Sequence, residues 1–186
     1  MRSLFFASLY LLATTANATT LTIDFENSTT NDSLPELVVG DYVFSNAAGI
    51  VIFSGWDENT LTFVGTQSPI STLSLARTDG GSFDLEYLEA ADIFAGDMTS
   101  VLIEGYKTGG ATVSTTIDVL GYWLGVTEVT FDSQWTNLSE VVITGATPGV
   151  GGLDNIRVTA VPVPAAIWLF GSVLAGLGWM GRKQAA

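Results

Sequence analysis

The feature that most restricts this chain is an uncharged apolar stretch near its C-terminus, residues 165–181. At about 1.5 Å per residue, a helix of this length reaches about 25 Å, the lower end of what a bilayer core requires. Pro162 and Pro164 precede it, where a helix start tolerates the missing N–H of proline. Arg182 and Lys183 follow it. Because basic residues stay on the cytoplasmic side, the pattern predicts a transmembrane helix with the body of the chain outside.

A secretory signal peptide is predicted at the other end, over residues 1–18. Arg2 gives a basic start and residues 4–13 are apolar. An apolar run of this length spans only about 15 Å as a helix, too short for a bilayer core of about 30 Å. Ala16 and Ala18 supply the small side chains that signal peptidase accepts, so cleavage by that enzyme is predicted after Ala18.

The residues from 161 onward follow a specific order: a proline pair, a Trp-Leu-Phe-Gly-Ser core, a glycine-rich apolar run and a basic end. The positions that carry this order are Val161, Pro162, Val163, Pro164, 168–172, 174–178, Arg182 and Lys183. The segment resembles the C-terminal sorting tail of PEP-CTERM proteins, in the variant that has an aliphatic residue, here Val163, at the position of the name-giving glutamate. Residues 161–186 are therefore identified as a tail of this kind.

This resemblance implies a partner and a location. The partner is an exosortase, a membrane-embedded cysteine protease that recognises the proline motif. The resemblance also implies a Gram-negative-type bacterium that makes exopolysaccharide. The chain is then expected to be exported, held transiently in the lipid of the inner membrane, and delivered to the cell surface or extracellular matrix.

The exported part, residues 19–160, is long enough for one domain with its own core. All 19 acidic residues lie in the body between the two terminal segments, with Arg77, Lys107 and Arg157 as its basic residues, so its net charge is −16. Such a surface repels the phosphates of nucleic acids, which are excluded as partners, and it attracts cations.

Histidine and cysteine are absent from the whole chain. Disulfides, cysteine nucleophiles, Ser-His-Asp triads and His-ligated zinc are therefore excluded. Glycoside hydrolysis would need two carboxylates across a cleft, and with this many acids a chance pair carries no information. The acids Asp84, Glu86, Glu89 and Asp92 are interpreted as part of an exposed edge, and the chain is predicted not to be an enzyme.

The body is predicted to be all-β, an antiparallel β-sandwich of jelly-roll type. Leu21, Ile23 and Phe25 alternate with polar residues, and further short apolar runs are separated by Gly, Asn and Asp turns. These runs are residues 42–44, 50–53, 61–64, 101–103, 111–120, 127–131, 141–143 and 156–158. A turn is predicted at 107–110. Residues 85–94 favour a helical turn or a loop.

Five short segments in the later part resemble exported β-sandwich domains and, more loosely, carbohydrate-binding jelly rolls: 82–85, 101–106, 129–131, 135–138 and 153–156. In such jelly rolls a structural Ca²⁺ often joins the first and last strands. Asp24 and Glu26 share a face of the first strand and Asp154 opens the last, and carboxylates are ligands that Ca²⁺ prefers. These three residues are the predicted calcium site; the alternative is solvated acids at strand edges, with Asp154 capping a turn.

Aromatic residues next to polar ones mark candidate glycan contacts, because sugar faces stack on exposed rings. Trp56 lies in a polar loop and is the first candidate, with Tyr122 and Trp123 second; Trp135 is predicted to be core. The sequence thus predicts a non-enzymatic surface or matrix protein processed by an exosortase. The alternative is a glycan-binding module for exopolysaccharide.

Overall fold

The computed structural model describes residues 18–26, 34–53, 63–66, 72–92, 100–119, 125–145 and 151–162. These residues form eleven strands that all pair antiparallel within the compact unit Ala18–Val161, which confirms the predicted all-β antiparallel class. In chain order, β1 to β11 are Thr20–Ile23, Leu34–Val39, Tyr42–Phe53, Phe63–Thr66, Thr72–Arg77, Phe83–Asp92, Ser100–Lys107, Thr112–Asp118, Thr127–Thr130, Leu138–Gly145 and Gly151–Ala160.

The eleven strands form one continuous sheet that divides into two parts where β6 meets β10. One part has the order β9-β6-β11-β1 and is called the four-stranded sheet below; the other has the order β2-β3-β5-β10-β7-β8 and is called the six-stranded sheet. β4 pairs with the second half of β3. Within the described residues a single pair, Leu138 opposite Phe83, connects the two sheets. The sheets are therefore two layers that share little more than their hydrophobic core.

That core is built from the apolar face of each sheet. Phe25, after β1, meets Phe44 of β3 edge-on with 5.4 Å between ring centroids, and Tyr42 meets Phe83 in the same way at 5.5 Å. Both contacts link one sheet to the other, as in a β-sandwich. Trp135 is 5% exposed and packs on Phe131 at 4.6 Å, which confirms its predicted place in the core.

The predicted turn at residues 107–110 connects β7 to β8. The N–H of Gly110 donates to the carbonyl of Lys107 at 2.9 Å, and the N–H of Lys107 donates to the carbonyl of Ala111 at 2.8 Å. Gly110 has a φ of +83°, which glycine adopts without a steric penalty. This hairpin fixes the register of β7 and β8, on which the outward-facing side chains described below depend.

The prediction of a helical turn or loop at residues 85–94 is wrong, because β6 covers Phe83–Asp92. Leu85 and Leu88 are both buried although they are three residues apart. Val158 pairs with Leu85 and Arg157 with Tyr87, so Glu86 is an extra residue on β6. Such a bulge reverses the inside-outside alternation and produces the spacing of a helix. Glu89 pairs with Glu128 of β9 on one side and Asp154 of β11 on the other, so this acid is not on a sheet edge.

Candidate functional site

The predicted calcium ligands lie at one end of the β1–β11 pair. Asp24 and Glu26 follow β1 with exposed side chains, while Ile23 and Phe25 are buried, so the two acids share a face as predicted. Asp154 is different, because it lies inside β11 and is only 1% exposed. The alternative interpretation, in which Asp154 caps a turn, does not describe its position inside β11, although its carboxylate accepts a hydrogen bond from the N–H of Asn155.

The environment of Asp154 is unfavourable for its negative charge. The pKa of Asp154 is raised to about 7, chiefly by burial; the 2.7 Å hydrogen bond from the N–H of Asn155 opposes this rise, and the charges of Glu89, Glu26 and Asp24 add to it. All three predicted ligands therefore interact electrostatically. Among the described residues, however, no group of three or more His, Cys, Asp or Glu side chains is placed to hold a metal ion. Calcium binding stays a prediction.

Most other residues predicted from the sequence lie outside the described ranges. These are Trp56, Tyr122 and Trp123 of the glycan prediction, Ala16 of the signal, and Val163, Pro164, Arg182 and Lys183 of the tail. Ala18 is exposed before β1, and Val161 and Pro162 are half-buried after β11. The N–H of Val161 donates to the carbonyl of Ser82 at 3.0 Å, so the folded domain extends to the first residue of the predicted sorting motif.

Residues 165–181, the predicted membrane helix, are also outside the described ranges. In the part of the chain that the structure describes, no helix has the length and apolar character needed to cross a membrane.

The outer face of the four-stranded sheet carries a network of polar side chains that bond to each other. The hydroxyl of Tyr87 donates to Glu89 at 2.8 Å, and the guanidinium carbon of Arg157 lies 5.4 Å from the centre of the Tyr87 ring. Thr159 donates to Glu86 at 2.5 Å and shares a 2.6 Å hydrogen bond with the hydroxyl of Thr20. The hydroxyls of Tyr87, Thr159 and Thr20 are therefore already engaged with neighbouring side chains on this face.

The outer face of the six-stranded sheet is organised differently. Residues that pair across antiparallel strands point to the same side, so the registers define rows that cross the sheet. One row runs Glu36, Ser45, Ser74, Val142, Glu104, Ser114, and the next runs Val38, Val43, Ala76, Glu140, Tyr106, Thr112. All of these side chains are exposed or half-buried. At about 4.8 Å per strand, each row is about 24 Å long.

A groove of about 390 Å³ opens at one side of this face. It is lined by Pro35, Glu36, Ser45, Asn46, Thr72 and Ser74. The hydroxyls of Ser45 and Ser74 are hydrogen-bonded to each other at 2.8 Å, on neighbouring strands β3 and β5. Short hydroxyl side chains thus form part of a polar lining that is open to solvent, and a hydroxyl can both donate and accept hydrogen bonds.

Tyr106 is the exposed aromatic residue of this face, at 36%. It lies directly opposite Glu140 on β10 and two residues from Glu104 on its own strand. Glu104 in turn shares its row with Ser74 and Glu36 of the groove. Among the described residues, a ring flanked by two carboxylates and continuous with a hydroxyl-lined groove is the arrangement that best fits an extended polar ligand.

Tyr106 is not among the glycan-contact residues predicted from the sequence, although the sequence carries a signal for it. In β7, Val101 and Ile103 are buried, so the alternation of a strand places Glu104 and Tyr106 on the opposite face. Its partner Glu140 could not be found in this way, because the register of β10 against β7 shifts between Leu138 and Glu140. The pairing of ring and carboxylate exists only in the folded sheet.

No protein-family model matches this chain, and no curated protein matches it. Solved structures to which this chain is similar include a family 29 carbohydrate-binding module from Piromyces equi, at 9% identity and a TM-score of 0.48, covering 78% of this chain and 93% of the module. The CBM22-1 xylan-binding domain of Xyn10C from Paenibacillus barcinonensis has 12% identity and a TM-score of 0.48, covering 77% of this chain and 94% of that domain. An exo-beta-agarase has 14% identity and a TM-score of 0.47 over 78% of this chain, which spans 25% of that enzyme.

Proposed function

We propose that this chain is an exported, non-enzymatic protein whose jelly-roll-like β-sandwich binds polysaccharide on the outer face of the six-stranded sheet. The observation that carries the proposal is the exposed ring of Tyr106 between Glu104 and Glu140, in rows that continue to the groove. Sugar rings stack on aromatic rings, and their hydroxyls bond to carboxylates and to other hydroxyls.

The shape of the face supports a polymer as ligand. A row of about 24 Å is much longer than a compact pocket for a small molecule, and its side chains are all exposed or half-buried. Strand rows give a regular series of hydrogen-bonding positions, such as Ser74, Glu104 and Ser114 in one row. A glycan chain laid along such a row would contact several strands at once.

The experiment measures binding of the full chain, purified in mild detergent, to a glycan array that includes xylan, β-1,4-galactan and the polysaccharide of the native host. Replacement of Tyr106 by Ala is expected to raise Kd about tenfold, equivalent to about 1.4 kcal/mol. Leu21→Ala is the matched control, because Leu21 is similarly exposed, at 39%, but lies on β1. Equal binding by the wild type and Tyr106→Ala would contradict the site, and release of reducing sugar from a bound glycan would contradict the non-enzymatic assignment.

The sorting part of the proposal is supported by the tail alone. The proline motif at Val161, Pro162, Val163 and Pro164, the apolar run 165–181 and the basic pair Arg182–Lys183 favour processing by an exosortase-like protease after export through the signal at residues 1–18. Membrane anchoring before that step is expected to be transient.

Mass spectrometry of the protein from its native host tests this part. The expected mature chain begins at Thr19 and ends near the proline motif. A chain that retains residues 165–186 after delivery to the surface would contradict processing. A reporter fused after Ala186 that is itself exported would contradict the predicted topology.

A further inference from the structure

Charge is distributed unevenly over the outer face of the six-stranded sheet. Among the described residues, the charged side chains on this face are Glu36, Glu104, Glu140 and Asp118, all acidic. The basic residues Arg77 and Lys107 lie at strand ends, in positions that alternate toward the core side, and Arg77 bonds to Asp79 at 2.6 and 2.9 Å. A ligand on this face therefore meets carboxylates without a compensating positive charge.

The acidic charge of this face determines which glycans it attracts and which it repels. Uronate, sulfate or phosphate groups would be repelled by the four carboxylates, and by the net charge of −16 on the body of the chain. A neutral glycan would gain only hydrogen bonds and stacking. A glycan with protonated amino groups would gain charge complementarity as well, because an ammonium group is attracted both to carboxylates and to the face of an aromatic ring.

We infer that the polysaccharide bound on this face is cationic, a polymer of sugars with free amino groups that are held between Glu104, Glu140 and the ring of Tyr106. The inference rests on the proposed function and specifies its ligand class. Glu36, about 19 Å away along the row from Glu104, supplies a third carboxylate to the same polymer. Several weak ion pairs spaced along one chain add their contributions through effective concentration.

The test compares three oligosaccharides of equal length on the full chain: glucosamine oligomers with free amino groups, the same oligomers fully N-acetylated, and an oligo-uronate. The amino form is expected to bind on the order of tenfold more tightly than the acetylated form at low salt, and this ratio is expected to fall as ionic strength rises. The double variant Glu104→Gln, Glu140→Gln keeps the shape of the site and is expected to remove the difference. Glu128→Gln, an exposed carboxylate on β9, is the matched control and is expected to preserve it.

The outcomes separate the two proposals. Equal affinity for the amino and acetylated oligomers, or tighter binding of the oligo-uronate, overturns the inference but leaves polysaccharide binding in place. If the double variant leaves the ratio of affinities for the amino and acetylated oligomers unchanged, the inference is also overturned, because the amino groups would then be recognised elsewhere. Failure of every glycan, including those of the array, to bind overturns the proposed function and the inference with it.

Discussion

The side-chain amide of Asn155 donates a hydrogen bond of 3.0 Å to the carboxylate of Glu89, across the pairing of β11 with β6. Asn155 has a φ of +48°, in the left-handed region that residues other than glycine rarely adopt. It lies where the register of the two strands shifts, between the pairs of Asp154 and Arg157. The bond therefore holds a bulge residue against the neighbouring strand.

Replacement of Asn155 by Ala is expected to destabilise the fold by about 1–3 kcal/mol, because it removes this bond and places a less tolerant residue in the left-handed region. Asn155→Gly is expected to cost less, since glycine accepts the backbone angle. Urea denaturation measures both. Equal losses for Ala and Gly would show that the backbone angle contributes nothing.

Gly105 on β7 has no room for a side chain. A Cβ at this position would lie 2.9 Å from Leu138 Cδ2, 3.0 Å from Val113 Cγ1 and 3.2 Å from Trp135 Cε3. Gly105→Ala is therefore expected to reduce the free energy of unfolding by about 1–3 kcal/mol through overpacking. Gly109→Ala is the control, because a Cβ there would have no neighbour within 4 Å. The thermal unfolding midpoint of both variants checks this; an unchanged midpoint for Gly105→Ala would refute the overpacking.

Asp154 is expected to make stability depend on pH. Its pKa is raised from 3.8 to about 7 in the folded protein, so between these values the folded state binds a proton that the unfolded state has lost. The contribution of Asp154 to the free energy of unfolding is largest below pH 3.8, decreases as the pH rises toward 7, and stays low above that pH. Asp154→Asn keeps an oxygen that can accept the bond from Asn155 and removes the charge.

In EGTA at pH 8, Asp154→Asn is expected to be more stable than the wild type by on the order of 2–4 kcal/mol, with little difference at pH 4. Urea denaturation across this pH range measures the effect. Asp118→Asn, an exposed acid on β8, is the control and is expected to show no such trend. A variant less stable than the wild type at both pH values would refute the argument.

Bound calcium would turn the charged carboxylate of Asp154 from a destabilising group into a stabilising one. If Asp24, Glu26 and Asp154 bind Ca²⁺, the ion neutralises the repulsion at Asp154, and addition of Ca²⁺ at pH 8 is expected to raise the thermal midpoint of the wild type but not that of Asp154→Asn. Removal of Ca²⁺ with EGTA is expected to reverse the rise. An identical midpoint of the wild type with Ca²⁺ and with EGTA would rule out a stabilising calcium site.

The local alternation of apolar and polar residues was sufficient to predict the all-β fold class. Ile23 and Phe25 alternate with the polar residues Asp24 and Glu26 and are buried as that alternation predicts. The pattern failed at β6, where Leu85 and Leu88 have helical spacing. A bulge is defined by the partner strand, here by Arg157 and Val158 of β11, and a single strand carries no record of that register.

The sequence by itself determined the all-β character, the strong negative charge and the exclusion of histidine and cysteine chemistry. It also determined the two terminal segments predicted for export and sorting. All of these depend on composition and on short-range order along the chain. Tertiary structure alone decided that Asp154 is buried among other acids and that Tyr106 lies opposite Glu140. Both relationships join residues more than 30 positions apart, and only strand pairing brings such residues within reach of each other.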